Sequence, residues 1–131
     1  MISSVLMVCE RCGDTVERRG HFQRYCLACS GLAKWEARVR YRRKLRRMAL
    51  EAYGARCACC GIDQYEFLTF DHVNGGGTEH RRELSNGGAV ALVQWIITNH
   101  FPATIQVLCY NCNQARSAHG TCPHVGEVPR E

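Results

Sequence analysis

Hydrophobic positions come in short, separated groups whose spacing changes along the chain. Residues 31–53 contain no Pro and no interior Gly and are rich in Ala, Leu, Lys, Arg and Glu, which predicts one long helix of roughly 34 Å. Its apolar residues do not form one stripe. At about 100° per residue, Leu32, Trp35 and Val39 fall on one side, and Tyr41, Leu45, Met48 and Ala52 fall on another, roughly 140° away. The first half is expected to pack on the N-terminal segment and the second half on the C-terminal one, as a connector.

Further along, residues 67–73 are β-prone, and so are residues 104–109, where Ile105 and Val107 alternate with Gln106. Between these two expected strands lie the turn Asn74-Gly75-Gly76-Gly77, a polar stretch at 78–86, and an almost wholly apolar run at 89–97. That run reads as a helix covering a sheet, ending near Asn99 before Pro102. Residues 113–119 suit a short helix stopped by Gly120, and residues 125–131 read as a frayed tail. Two strands followed by a helix, with a helical insertion, give a small α+β fold.

The apolar runs are short for a chain of 131 residues, so one extensive core is not expected. Cysteine changes that picture, because ten are present. The first eight residues lack a basic stretch and a signal-length apolar run, which points to a reducing cytoplasm and to metal rather than disulfides. Eight cysteines form Cys-x-x-Cys pairs: Cys9/Cys12, Cys26/Cys29, Cys57/Cys60 and Cys109/Cys112. Two such pairs make a tetrahedral four-thiolate site, so the expectation is two structural zincs that replace part of the missing core. One comes from Cys9, Cys12, Cys26 and Cys29, and the other from Cys57, Cys60, Cys109 and Cys112. A redox Cys-x-x-Cys lacks its βαβ surroundings here. His21 reads as a surface residue. Cys59 could displace Cys57 but reads better as a buried free thiol, because Cys57 and Cys60 have the usual two-residue gap, and neither Cys59 nor Cys122 is expected to affect zinc content.

Charge is unevenly spread. The net value is only +5, but eight Lys or Arg and one acid, Glu36, lie within residues 34–47. Lys34, Arg38, Arg42 and Arg46 recur every fourth residue, a row suited to a polyanion. No run approaches the roughly 18 apolar residues of a membrane span, so no membrane association is expected.

The candidate chemistry sits at the end of the first expected strand, in Phe70-Asp71-His72-Val73-Asn74-Gly75-Gly76-Gly77. Neighbouring strand side chains point oppositely, so Asp71 and His72 can serve one phosphate only where the strand breaks into the glycine turn. An imidazole can take a water proton at neutral pH, and Asp and Asn oxygens suit Mg²⁺ or Mn²⁺. The order Cys57/Cys60, Asp71-His72, Cys109/Cys112 and Asn113, with Arg116 three residues on, resembles the HNH nuclease family, the ββα-metal fold, across residues 57–124. His80-Arg81, Gln106-Val107-Leu108-Cys109 and Cys122-Pro123-His124 resemble small HNH proteins of bacteriophage origin.

The resemblance implies a zinc-stabilised ββα-metal core that hydrolyses DNA phosphodiester bonds. His72 would be the general base, Asp71 and Asn113 would hold a catalytic Mg²⁺ or Mn²⁺, and Arg116, with His80 and Arg81, would contact DNA. One position departs from the family: Thr104 stands where a bracing Asn is usual, and either its hydroxyl or Asn99 would brace the loop behind the base. The expected organisation is a four-cysteine module at 1–30, a basic connector helix at 31–54, the nuclease domain at 55–124 and a tail. DNA is the expected partner, with a second copy or a phage packaging protein as further candidates. The expected compartment is the cytoplasm, that of a bacterial host for a phage-encoded chain. The alternative function is a zinc-stabilised DNA-binding or packaging protein whose site is inactive or partner-dependent.

Overall fold

The computed structural model describes residues 4–84 and 88–125. The expected tail beyond Val125 and residues 85–87 of the polar stretch lie outside them. The chain forms two compact units, one ending at Arg42 and the other beginning at Arg43. The boundary therefore falls inside the long helix, which is shared between the units and is not a domain of its own.

The first unit begins with an antiparallel pair, β1 (Leu6–Val8) and β2 (Thr15–Glu17), in which Met7 faces Val16. The helix α1 (Leu27–Ala52) comes next. It starts four residues before the sequence suggested, immediately after Cys26, whose sulfur accepts from the Cys29 N–H at 3.5 Å. A Cys-x-x-Cys pair thus doubles as a helix start, since the first cysteine caps an otherwise unpaired donor. The expected apolar packing of the first half does not form: Leu32 and Trp35 are 45% and 61% exposed. A polar interaction replaces it, with both guanidinium nitrogens of Arg11 donating to the Glu36 carboxylate at 2.9 and 2.7 Å. Among the described residues up to Arg42, Cys9 alone is buried. Side-chain packing cannot by itself hold such a unit together.

The second unit has a proper core. Leu45, Ala49 and Leu50 of α1 face it, with Tyr53 just past the helix end, whereas Tyr41 and Met48, expected on that face, are exposed. The helix stops at Gly54, which adopts φ +86°. Next come β3 (Leu68–His72) and β4 (Ile105–Cys109), an antiparallel pair that sets Asp71 opposite Gln106 and His72 opposite Ile105. Leu68, Phe70, Ile105 and Val107 are buried, in keeping with the strand period of two.

The polar stretch between these strands is not all loop, because residues from the glycine turn onward form α2 (Gly77–Glu83). Its half-buried positions include Gly77 and His80, with Leu84 just beyond, a face that shows no hydrophobic periodicity. Then α3 (Ala89–Thr98) covers the core with Leu92, Val93 and Ile96. Finally α4 (Tyr110–His119) packs on both β3 and β4, completing the order strand, strand, helix. It begins three residues earlier than expected because Cys109, its N-cap, accepts from the Cys112 N–H. Among the described residues no helix is long and apolar enough to cross a membrane.

Candidate active site and metal centres

Where β3 runs into the glycine turn, Asp71, His72, Gly75, Gly76, Gly77, Arg81, Asn113 and Arg116 are among the residues lining a cleft of about 450 Å³. The strand supplies Asp71 and His72, and α4 supplies Asn113 and Arg116. The turn is possible because Gly75 and Gly76 take φ +74° and +79°, a region that side chains resist. Gly77 serves a different need. A Cβ there would stand 2.8 Å from Nδ1 of His72, so only glycine leaves the imidazole its place.

His72 is fixed from its other nitrogen. Its Nε2 lies 2.7 Å from Nδ1 of His80, with the two rings 86° apart, and His80 rests edge-on against Trp95 at 4.2 Å. Burial holds the His72 pKa below the ordinary imidazole value; His80 and then Arg81 push it further down, and Asp71 opposes them. The shift favours the neutral ring, and among the described residues no side chain engages Nδ1. Expected to meet DNA, His80 instead stands behind His72. It holds the His72 ring itself, whereas Thr104 or Asn99 was expected to brace the loop behind that ring. Thr104 is exposed and offers its carbonyl to the Val73 N–H, and the Asn99 amide donates back to Trp95 of the preceding helix.

Asp71 is held on one oxygen only. Gln106, its cross-strand partner, donates from Nε2 to Oδ2 at 2.8 Å, and Arg116 forms an ion pair with the same oxygen. Arg116 also donates to the carbonyl of Val73. Among the described residues Oδ1 accepts no hydrogen bond, so Asp71 Oδ1 and the Asn113 amide are the oxygen donors left for a cation. They suit a hard divalent ion by type. Arg116 is engaged within the protein here, and Arg81 is exposed at the cleft.

In the basic row, Lys34, Arg38 and Arg42 are exposed and have no acid partner among the described residues. Arg46 differs. Half-buried, it donates to the carbonyls of Tyr65 and Leu68, tying α1 to the start of β3. Three of the four therefore present free cations. They belong to the first unit, whereas the cleft belongs to the second.

The cysteines gather into groups that could hold metal: Cys9, Cys12, Cys26 and Cys29, then Cys57, Cys60, Cys109 and Cys112, each with ligand atoms within 4.8 Å of one another. In the first, the Cys12 and Cys26 sulfurs are 3.9 Å apart; in the second, the Cys60 and Cys109 sulfurs are 3.8 Å apart. Backbone N–H groups of Cys12 and Cys26 lower the Cys9 thiol to about 6. Burial raises Cys57, but the N–H groups of Cys60, Cys109 and Cys59 outweigh it and bring that thiol also to about 6. Both groups thus hold a sulfur poised as thiolate, the form that binds metal. His21 stays outside the first group, stacked edge-on against Phe22. A third group, Cys59, Cys112, Cys122 and His124, has its ligand atoms equally close together and was not expected.

Sequence reasoning missed the roles of His80, Gln106 and Gly77. Gln106 was legible as the polar member of an alternating strand and His80 as an expected DNA contact, and neither pattern pointed to Asp71 or His72 as its partner. Comparison with family models, with characterised proteins and with solved structures returned no match for this chain.

Proposed function

We propose that the chain is a metal-dependent HNH endonuclease that hydrolyses DNA phosphodiester bonds. One observation carries this reading: Asp71, His72 and Asn113, from a strand end and a helix, line one polar cleft, with a braced neutral imidazole in it. In this reading His72 accepts the proton of the attacking water at Nδ1, while His80 fixes the ring through Nε2. When bound by Asp71 and Asn113, Mg²⁺ or Mn²⁺ supplies charge neutralisation at the phosphate. Gln106 holds the Asp71 carboxylate in place, and Arg81 offers the incoming strand a cation. Lys34, Arg38 and Arg42 add phosphate affinity without base selection. The two four-cysteine groups each hold a structural zinc.

A specific observation favours a second reading. Among the described residues Asp71 is the one carboxylate lining the cleft, and Arg116 already neutralises it. A DNA-binding or packaging protein without turnover would tolerate that pair, whereas an enzyme must share Asp71 between Arg116 and the metal. Supercoiled plasmid decides between them. Incubated with the full chain and added Mg²⁺ or Mn²⁺, it becomes nicked or linear if the protein cleaves, and His72→Ala slows this by about 10²- to 10⁴-fold. Retarded but intact plasmid under every metal condition would overturn the nuclease reading.

A further inference from the structure

The Cys-Ala-Cys-Cys run at residues 57–60 and the Cys122-Pro123-His124 segment contain more ligands than one four-thiolate site can use. Cys57 and Cys60 are directed to Cys109 and Cys112, and Cys59 is left to face Cys122 and His124, with Cys112 common to both sets. We propose that Cys59, Cys112, Cys122 and His124 form a third zinc site, joined to the Cys57/Cys60/Cys109/Cys112 site through a bridging Cys112 sulfur. The second unit would then carry a two-zinc cluster with seven protein ligands.

The distances are close to those of a coordination tetrahedron. Zinc with Zn–S of about 2.3 Å and Zn–N of about 2.05 Å sets tetrahedral edges of roughly 3.8 Å between sulfurs and roughly 3.6 Å between sulfur and nitrogen. Nδ1 of His124 lies 3.3 Å from the Cys112 sulfur, 3.3 Å from that of Cys122 and 3.8 Å from that of Cys59. All ten cysteines are free thiols, so none of these sulfurs is consumed by a disulfide.

The backbone is built to deliver these ligands. Gly120 ends α4 at φ +76° and turns the chain back, and the Val125 N–H closes onto the Cys122 carbonyl at 3.0 Å. Cys122 is buried at 4% exposure and Cys112 at 0%, placing the shared sulfur inside and the His124 ring as the outer ligand. Charge also balances. The added zinc's two positive charges are matched by the thiolates of Cys59 and Cys122, with the imidazole neutral. The cluster thus carries no more net charge than a single four-thiolate site, and the bridge adds no desolvation cost for extra charge. Thiolate is a soft, polarisable donor with lone pairs enough for two metals. Mechanically, the cluster would clamp the 57–60 loop, the start of α4 and the segment after it to one another. This revises the expected two zincs per chain to three, and it does not depend on whether the cleft cleaves DNA.

Metal counting on the full chain by native mass spectrometry tests it. The wild type should carry three zincs, and His124→Ala, which removes an exposed ring and creates no cavity, should carry one fewer with unchanged far-ultraviolet dichroism. Cys59→Ser should do the same. Replacement of zinc by cadmium-113 should give three resonances, two of them mutually coupled through the Cys112 sulfur. A zinc count that His124→Ala and Cys59→Ser leave unchanged, or a Cys59–Cys122 disulfide in the purified protein, would overturn the site. Three zincs without cadmium coupling would overturn the bridge.

Discussion

Nε2 of His72 and Nδ1 of His80 stand 2.7 Å apart, one at the end of β3 and the other on the helix beyond the glycine turn. Eight residues separate them in sequence, and the intervening turn folds the second ring behind the first. A general base needs one nitrogen free and the other held, and this pair does both.

Cleavage should therefore track the neutral fraction of His72. Because burial, with His80 and Arg81, lowers its pKa, the rate should rise with pH and level off with a midpoint below the ordinary imidazole value of about 6.5. His80→Ala exposes the ring and removes a neighbour that holds its pKa down. Its midpoint should move up, while the plateau falls through loss of orientation. His72→Ala should lose about 10²- to 10⁴-fold at every pH. A pH–rate profile of the three proteins checks this; an unshifted midpoint in His80→Ala would show that His80 only fills space.

Gly77→Ala should damage cleavage without damaging the fold. Its Cβ would stand 2.8 Å from Nδ1 of His72, so the imidazole must leave the position it holds beside His80 or the turn must shift. Zinc content and thermal midpoint are expected to hold while plasmid nicking falls. Wild-type nicking by Gly77→Ala would mean that the ring position seen here is not the working one.

Arg116 and a catalytic metal compete for Asp71. Removing the guanidinium in Arg116→Ala restores the full negative charge to the carboxylate, so less Mg²⁺ or Mn²⁺ should be needed for half-maximal activity. Asp71→Ala should require more metal, and excess should partly rescue it. Metal titrations of nicking, or of Mn²⁺ binding by electron paramagnetic resonance, read both effects directly.

The basic row should split into two kinds of residue. Arg46→Ala breaks two guanidinium bonds to the carbonyls of Tyr65 and Leu68 and should destabilise the second unit by about 1.5–3 kcal/mol. Arg38→Ala with Arg42→Ala should leave stability intact and weaken duplex binding evenly across sequences. The log–log salt slope should fall by about 0.9 for each phosphate that a removed cation had neutralised. Urea melts and salt-dependent binding separate these outcomes; an unchanged slope would make the exposed arginines mere solvated charge.

Metal should be indispensable to the first unit. With Cys9 its one buried residue among those described, Cys9→Ser should lose one zinc and the amide protection of β1 and β2 together. Protection in β3 and β4 should persist, because that pair has its own core. Hydrogen exchange read by mass spectrometry resolves the two units. Retained protection in Cys9→Ser would show that the hairpin stands without metal.

Spacing alone determined a good deal. Cys-x-x-Cys pairs are local, and a metal tetrahedron accepts few arrangements, so the two four-cysteine groups were legible before any fold was known. The strands carrying Asp71 and Gln106 and the apolar α3 were legible for the same reason, since period and propensity are properties of neighbouring residues. Only tertiary structure could decide which of several polar residues approaches which. Nothing in the sequence distinguishes His80 as the brace of His72 from Thr104 or Asn99, because the choice depends on where the glycine turn sends α2. Arg46 looks like Arg38 and Arg42 along the helix, and its capture by two carbonyls depends on the strand that packs beside it. The convergence of Cys59, Cys122 and His124 on Cys112 likewise joins a loop to a segment more than sixty residues away, Cys59 and His124 being 65 positions apart. No local pattern encodes that meeting; the path of the chain around β4 and α4 does.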